Sequence, residues 1–156
     1  MWVVGADGSL YHTFWDGSYY HGFENLGGSF STAPQVAHWS VGRIDIVGQF
    51  AGEDSQYQYK YYDGSQWSAW LPKGGNFASQ PAVTSWSEGN LNILGVDTEG
   101  TLKWQMWIGG QWWPSADGYY SLGNTSDPYA KGSGVPLEQV QKPAGQTVMN
   151  GYKAAL

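Results

Sequence analysis

The residues of this chain that could do chemistry are aromatic rings paired with acidic turns. Trp15 and Asp16 recur as Tyr62 and Asp63, and more loosely as Trp107 with Ile108; Tyr20 recurs as Trp67 and Trp112, and Trp39 as Trp86. Arg43 is the only arginine, a lone fork-shaped donor. A sugar presents C–H bonds on one face and hydroxyls around its rim. Holding it takes a flat apolar platform and a few fixed donors and acceptors. Rigid rings cost little entropy on binding, and charged acceptors make the stronger hydrogen bonds. The expected ligand-binding residues are therefore Trp15, Asp16, Tyr20, Trp39, Arg43, Tyr62, Asp63, Trp67 and Trp86, with glycans or glycoproteins as partners.

Each residue also has a structural reading. A Trp that recurs once per repeat packs between neighbouring sheets, and Trp15 and Tyr62, beside turns, are the expected exposed rings. Asp16 and Asp63 stabilise turns by bonding nearby backbone. Arg43 pairs with Asp45 on a surface strand, a contact of little energetic worth. His12, His21 and His38 are not spaced as a metal site. Asn124-Thr125-Ser126 fits a glycosylation sequon, a weak signal.

Catalysis finds little support. The chain has no Gly-x-Ser-x-Gly elbow, no His-Glu-x-x-His and no phosphate-binding glycine loop. A sialidase-like site wants several arginines, and Asp97-Thr98-Glu99-Gly100-Thr101 only loosely echoes the Asp-box turn of such enzymes. A carboxylate pair such as Asp16 with Glu24 is the one glycosidase-like arrangement left open. The expectation is a non-enzyme without cofactor. Its rivals are a structural or assembly module that binds nothing and, further off, a piece of a glycoside-processing enzyme.

Composition narrows the class. Aromatics make up 17% of the 156 residues, and glycine supplies 23 of them. Charged residues are 13%, about half the usual share of roughly 25%. Such a chain favours strands and tight turns. A net charge of −6 argues against nucleic acid and against an anionic membrane surface. No window has the roughly 18–20 apolar residues of a spanning helix. Cysteine is absent, so disulfides and Cys-based zinc sites are excluded. Residues 1–10 lack the basic start and long apolar core of a secretory signal. An extracellular or cell-surface location is still the expectation.

The elements that must position these residues repeat. Pro34, Pro81 and Pro128 are each 47 residues apart, as are Trp39-Ser40 and Trp86-Ser87. Gly27-Gly28-Ser29-Phe30 matches Gly74-Gly75-Asn76-Phe77, and Val3-Val4-Gly5 matches Ile46-Val47-Gly48 and Ile93-Leu94-Gly95. One unit reads as four short strands, in the middle copy over 35–38, 43–48, 56–62 and 66–70, broken by 72–75. Asp63-Gly64 is the hairpin turn, a pair in which both central residues accept φ > 0. Four strands in a unit of this length build a blade of a β-propeller. The fold expected is all-β, a propeller of four-stranded antiparallel blades with about three blades here. The repeats lie near 1–38, 39–85 and 86–130, and 131–156 form a linker and tail. The first copy begins at its second strand, the middle carries an insertion at 51–55, and the third is expanded at 114–119. Since a ring takes about 4–8 blades, closure requires a homo-oligomer or the remaining blades of a longer chain. A reduced strand near 127–135 is the expected closing segment.

Residues 15–28, Trp-Asp-Gly-Ser-x-aromatic-x-Gly-Phe-Glu-x-Leu-Gly-Gly, resemble the signature of the propeller lectins of the Photorhabdus lectin type. Residues 42–48 and Leu10-Tyr11-His12 are similar to that family's "G-R-L-D-V-F" and "L-W-H" strands. The resemblance covers about residues 2–130 and is strongest in the first two copies. It implies a seven-bladed propeller binding fucose-type and related sugars between adjacent blades. The third copy departs from the pattern, with Ile108-Gly109 in place of Asp-Gly.

Overall fold

Short alternating runs separated by glycine turns become twelve strands, and no helix, among the residues described by the computed structural model, 1–52 and 55–125. The closing segment near 127–135, the linker and tail at 131–156, and Ser126 of the sequon lie outside the described residues. No described helix is long and apolar enough to cross a membrane.

The strands form three antiparallel sheets. In the first, β1 (Trp2–Val4), β2 (Leu10–His12) and β3 (Glu24–Gly27) pair in that order. The second holds β4 (Gln35–Ala37), β5 (Ile44–Gln49), β6 (Tyr57–Tyr62) and β7 (Leu71–Pro72), also in sequence order. The third runs β8 (Ala82–Thr84), β9 (Leu91–Val96), β10 (Thr101–Ile108) and β11 (Gln111–Trp113), with β12 (Tyr120–Asn124) also paired to β10. The sheets do not close into a ring among the described residues.

The fourth strand of the unit differs from its expected position. Residues 66–70 contribute only the bridge between Trp67 and Tyr62, and pairing resumes at Leu71 with Tyr59 and Pro72 with Gln58. Pro72 does not break the strand. It lies on the sheet edge, where a missing N–H costs no ladder bond.

A side chain replaces the missing rungs. Lys60 Nζ reaches between β6 and β7 to the Ser68 carbonyl at 2.6 Å. In the first sheet Thr13 Oγ1 donates to the His21 carbonyl. In the third, Gln105 Nε2 bonds the carbonyls of Ser115 and Gly118 at 2.9 and 2.8 Å, where residues 114–119 loop out between β11 and β12. All three donors are buried. Three residue types thus satisfy equivalent, partly buried carbonyls that the ladder leaves unpaired.

Two apolar clusters join the sheets, one on each face of β5. Ile46 packs toward the first sheet with Leu10, Leu26 and Phe30, while Val47 packs toward the third with Tyr57, Phe77, Leu91 and Ile93. Successive residues of a strand point to opposite faces, so a strand buried on both sides reads as a continuous apolar run. Gly48 and Gly95, equivalent positions, let rings lie on the strand: a Cβ would meet the Phe30 ring at Gly48 and the Tyr57 hydroxyl at Gly95. Trp70 adds a hydrogen bond across the first junction, from its indole N–H to the Leu26 carbonyl at 2.8 Å.

Polar anchors hold β5 and β9. Asp45, with no exposed surface, accepts bonds from Arg43 Nη2 at 2.7 Å and from the Tyr59 hydroxyl at 2.6 Å. The carboxylate is fully buried and the guanidinium half-buried, whereas a surface pair was expected from sequence. The strand is covered on both faces, so its polar side chains are enclosed as well. Equivalent positions in the third sheet carry a neutral version, with Asn92 bonded to Asn90 at 2.8 Å and to the Trp104 indole at 3.0 Å.

Candidate functional site

The aromatic and acidic residues singled out from sequence meet at hairpin tips. Trp15 bridges Tyr20 across the first tip, with ring centroids 5.2 Å apart at 52°. Tyr62 and Trp67 repeat that arrangement at 5.2 Å and 52°, and Trp107 with Trp112 follow at 5.4 Å and 62°. Cross-strand ring pairs of this kind hold a short hairpin closed.

The aspartates set the turns. Asp16 Oδ1 accepts the amides of Ser18 at 2.8 Å and Tyr19 at 3.1 Å. Asp63 Oδ1 accepts those of Ser65 at 2.8 Å and Gln66 at 2.9 Å, with the Ser65 hydroxyl at 2.7 Å. The glycines, Gly17 and Gly64, take positive φ; the aspartates do not. The Asp-Gly pair therefore works through side-chain capping of the turn rather than two residues at φ > 0. The Gln66 amide, then Ser65, holds the Asp63 carboxyl down at about 2. The Tyr19 and Ser18 amides, with His21, lower that of Asp16. Both remain anionic acceptors at any ordinary pH.

The tips differ in what their rings touch. At the first, Trp15 is 52% exposed and Tyr20 66%, and Phe14 and Tyr19 are exposed beside them. His21 Nε2 lies 2.8 Å from Asp16 Oδ2, and its ring stacks on Phe14 at 4.2 Å and 12°. This tip presents a ring platform, a carboxylate and an imidazole together. At the second, Trp67 turns inward, edge-on to Trp2 and His12 at 5.9 Å each, and its N–H reaches Glu24 Oε2 at 3.1 Å. Trp112 packs likewise against Tyr59 at 5.1 Å, with the Lys73 ammonium 3.4 Å from its ring centroid. Burial pushes that ammonium down to about 7.

Trp39 and Arg43 form a second group. The Arg43 guanidinium lies 4.9 Å from the Trp39 ring centroid and 4.2 Å from that of Tyr61. Gly42, in the same loop, lies against Gly64, so the structure brings Trp39 and Arg43 beside the Asp63 turn. Arg43 Nε and Nη2 are engaged by Asp45 and Tyr59. Trp86, the counterpart of Trp39, stands apart and is 65% exposed; Asn90 replaces the arginine there. The nine residues thus divide among two hairpin tips, the Trp39–Arg43 group and Trp86.

Residues not singled out from sequence complete the first tip. Phe14, Tyr19 and His21 all belong to it, and His21 could have been found five residues after Asp16, where the turn folds it back. No group of three or more His, Asp or Glu side chains among the described residues could hold a metal ion.

No curated protein matches the chain. Its residues 1–36, which include the first hairpin tip, are similar to a sequence family described as a repeat of unknown function (DUF346).

Proposed function

We propose that the chain is a non-catalytic carbohydrate-binding protein of β-propeller architecture, its three sheets serving as blades. The observation that carries this reading is the first hairpin tip, where exposed Trp15 and Tyr20 stand beside the Asp16–His21 pair. A pyranose laid on those rings would bury its C–H face, and its hydroxyls would reach the carboxylate and imidazole. The Asp63 turn beside Trp39 and Arg43 is the second such place. Architecture is supported by face-to-face packing of successive sheets and by the approach of the leading strands β4 and β8. Further blades, from a second copy or a longer chain, would close the ring. The resemblance to Photorhabdus-type lectins makes fucose-type sugars on extracellular glycans the first ligands to try. Weak single sites gain avidity by repetition.

Glycan-array binding competed by free or methylated fucose tests the reading. Trp15→Ala with Tyr20→Ala should abolish retention while the chain stays folded, its melting temperature lowered only slightly by loss of the ring pair. A flat array from folded protein overturns it. The engagement of Trp67 and Trp112 in sheet junctions favours a second reading, an assembly module without pockets, which predicts that flat array. Light scattering at several concentrations reads the blade supply, since a second copy doubles the molar mass.

A further inference from the structure

Leu26 and Lys73 hold the same place in the repeat, each just ahead of a pair of glycines, Gly27-Gly28 and Gly74-Gly75. Leu26 is buried in the first junction, clustered with Leu10, Phe30 and Ile46. The third unit also has a leucine there, Leu122 ahead of Gly123. Of the three units, the second puts a charge at this apolar position, and Lys73 is only 2% exposed.

What Lys73 meets is the feature that sets the third unit apart, the loop 114–119 between β11 and β12. The Lys73 amide donates to the Tyr57 carbonyl at 2.9 Å, which ties its backbone to the second sheet. Its side chain crosses to the third, where Nζ donates to the Ala116 carbonyl at 2.6 Å. Gly74 takes a φ of 65°, and a Cβ there would meet the Asp117 carbonyl at 2.5 Å, so the loop lies directly on the edge of the second sheet. From its own sheet the loop is held by Gln105, on the carbonyls of Ser115 and Gly118.

The ammonium sits there without an acid in contact. The Trp112 ring centroid of β11 is 3.4 Å away and that of Tyr59 in β6 is 5.9 Å away. Burial holds the Tyr59 phenol well above its usual range, so it stays neutral. Asp117 of the loop favours the charge, and beyond it Asp97, Glu99 and Lys103 of the third sheet line a cavity with Asp117. Among the described residues no carboxylate oxygen lies within 4.0 Å of Nζ. A neutral amine can donate the same hydrogen bond without bringing a charge out of water. In the closed junction burial therefore brings the amine down to about 7, against 10.5 when free. Between those values the open loop binds more protons than the closed one, so each step down in pH favours opening.

We propose that Lys73 is a proton-sensitive latch across the second junction. As a neutral amine it holds the loop 114–119 against the second sheet; on taking a proton it loosens the loop and uncovers the Trp112 face. The latch works whether or not the hairpin tips hold sugar.

Hydrogen–deuterium exchange of the full chain, followed by mass spectrometry from pH 6 to 9 and corrected for the intrinsic rate at each pH, tests it. Loop amides 115–119 should exchange well before those of β5 and β6, which marks local opening rather than unfolding. Their opening should fall about tenfold from pH 6 to pH 8, the ratio that affinities of about 7 and 10.5 give. Lys73→Leu, the choice of the first unit, should keep the fold and make loop opening independent of pH. Lys73→Gln, neutral yet able to reach the Ala116 carbonyl, should do the same and serves if the leucine variant misfolds. Asp117→Asn should leave the pH trend in place. A trend that survives both neutral variants, or one that disappears in Asp117→Asn, overturns the proposal. Loop amides that exchange only together with β5 and β6 overturn it as well.

Discussion

Lys60 and Ser68 are joined where the sheet ladder has a gap: the ammonium donates to the carbonyl at 2.6 Å from a buried position between β6 and β7. The outer strand of each unit leaves its neighbour after the hairpin bridge and returns several residues later. A long side chain in the second sheet, a short hydroxyl in the first and an amide in the third all meet the same need.

Lys60→Met removes the donor and strands a partly buried carbonyl. It should lower stability by about 1–3 kcal/mol. Lys60→Gln, the choice the third unit makes, should recover most of the loss. Urea denaturation of the two variants with unchanged m-values checks the pair.

Arg43 and Asp45 should behave as a unit. Arg43→Met leaves the fully buried carboxylate with only the Tyr59 hydroxyl, at a cost of about 3–5 kcal/mol. Arg43→Asn combined with Asp45→Asn rebuilds the neutral pair of Asn90 and Asn92 and should cost less than the single change. A double-mutant cycle measures the coupling, and strict additivity would contradict it.

Lys73 makes stability depend on pH. Its ammonium is held at about 7 in the fold by burial and titrates near 10.5 when free. Between those values the unfolded chain binds more protons, so stability rises with pH from about 7 toward 10.5, by something on the order of 3 kcal/mol. Tyr57 works the other way at the top of that range: burial lifts its phenol from 10.0 to about 12, so stability falls again once unfolded phenols ionise. Melting temperatures from pH 6 to 11 should show a maximum near pH 9–10, and Lys73→Met should flatten the rising limb.

The tryptophans of the two hairpin tips should respond differently. Trp67→Ala removes an indole wedged against Trp2 and His12 and should cost about 2–3 kcal/mol. Trp15→Ala, on an exposed face, should change stability by less than about 0.5 kcal/mol. Thermal melts of the two variants side by side check the contrast.

Much of the fold is legible in the residues. The spacing of Pro34 and Pro81 marks the units, and β5 and β6 fall within a residue of the runs expected over 43–48 and 56–62. The fourth strand was legible only in part. A side chain from β6 interrupts its ladder, and nothing local in 66–70 announces Lys60 as the donor. Arg43 and Asp45 read as a surface pair because alternation shows one covered face, while the second is covered by a sheet built from residues far along the chain. Tyr20 and Trp67, at equivalent positions, look alike for the same reason. Whether a hairpin ring stays in solvent or wedges into a neighbour depends on which sheet lies beyond it.

Ile46 and Val47 are consecutive, yet one belongs to the contacts with the first sheet and the other to those with the third. A slip of one residue in β5 would exchange the two addresses, offering each neighbour the side chain shaped for the other. The middle strand therefore encodes the identity of both adjoining sheets, and inserting a single residue before Ile46 should disturb both junctions together rather than one alone.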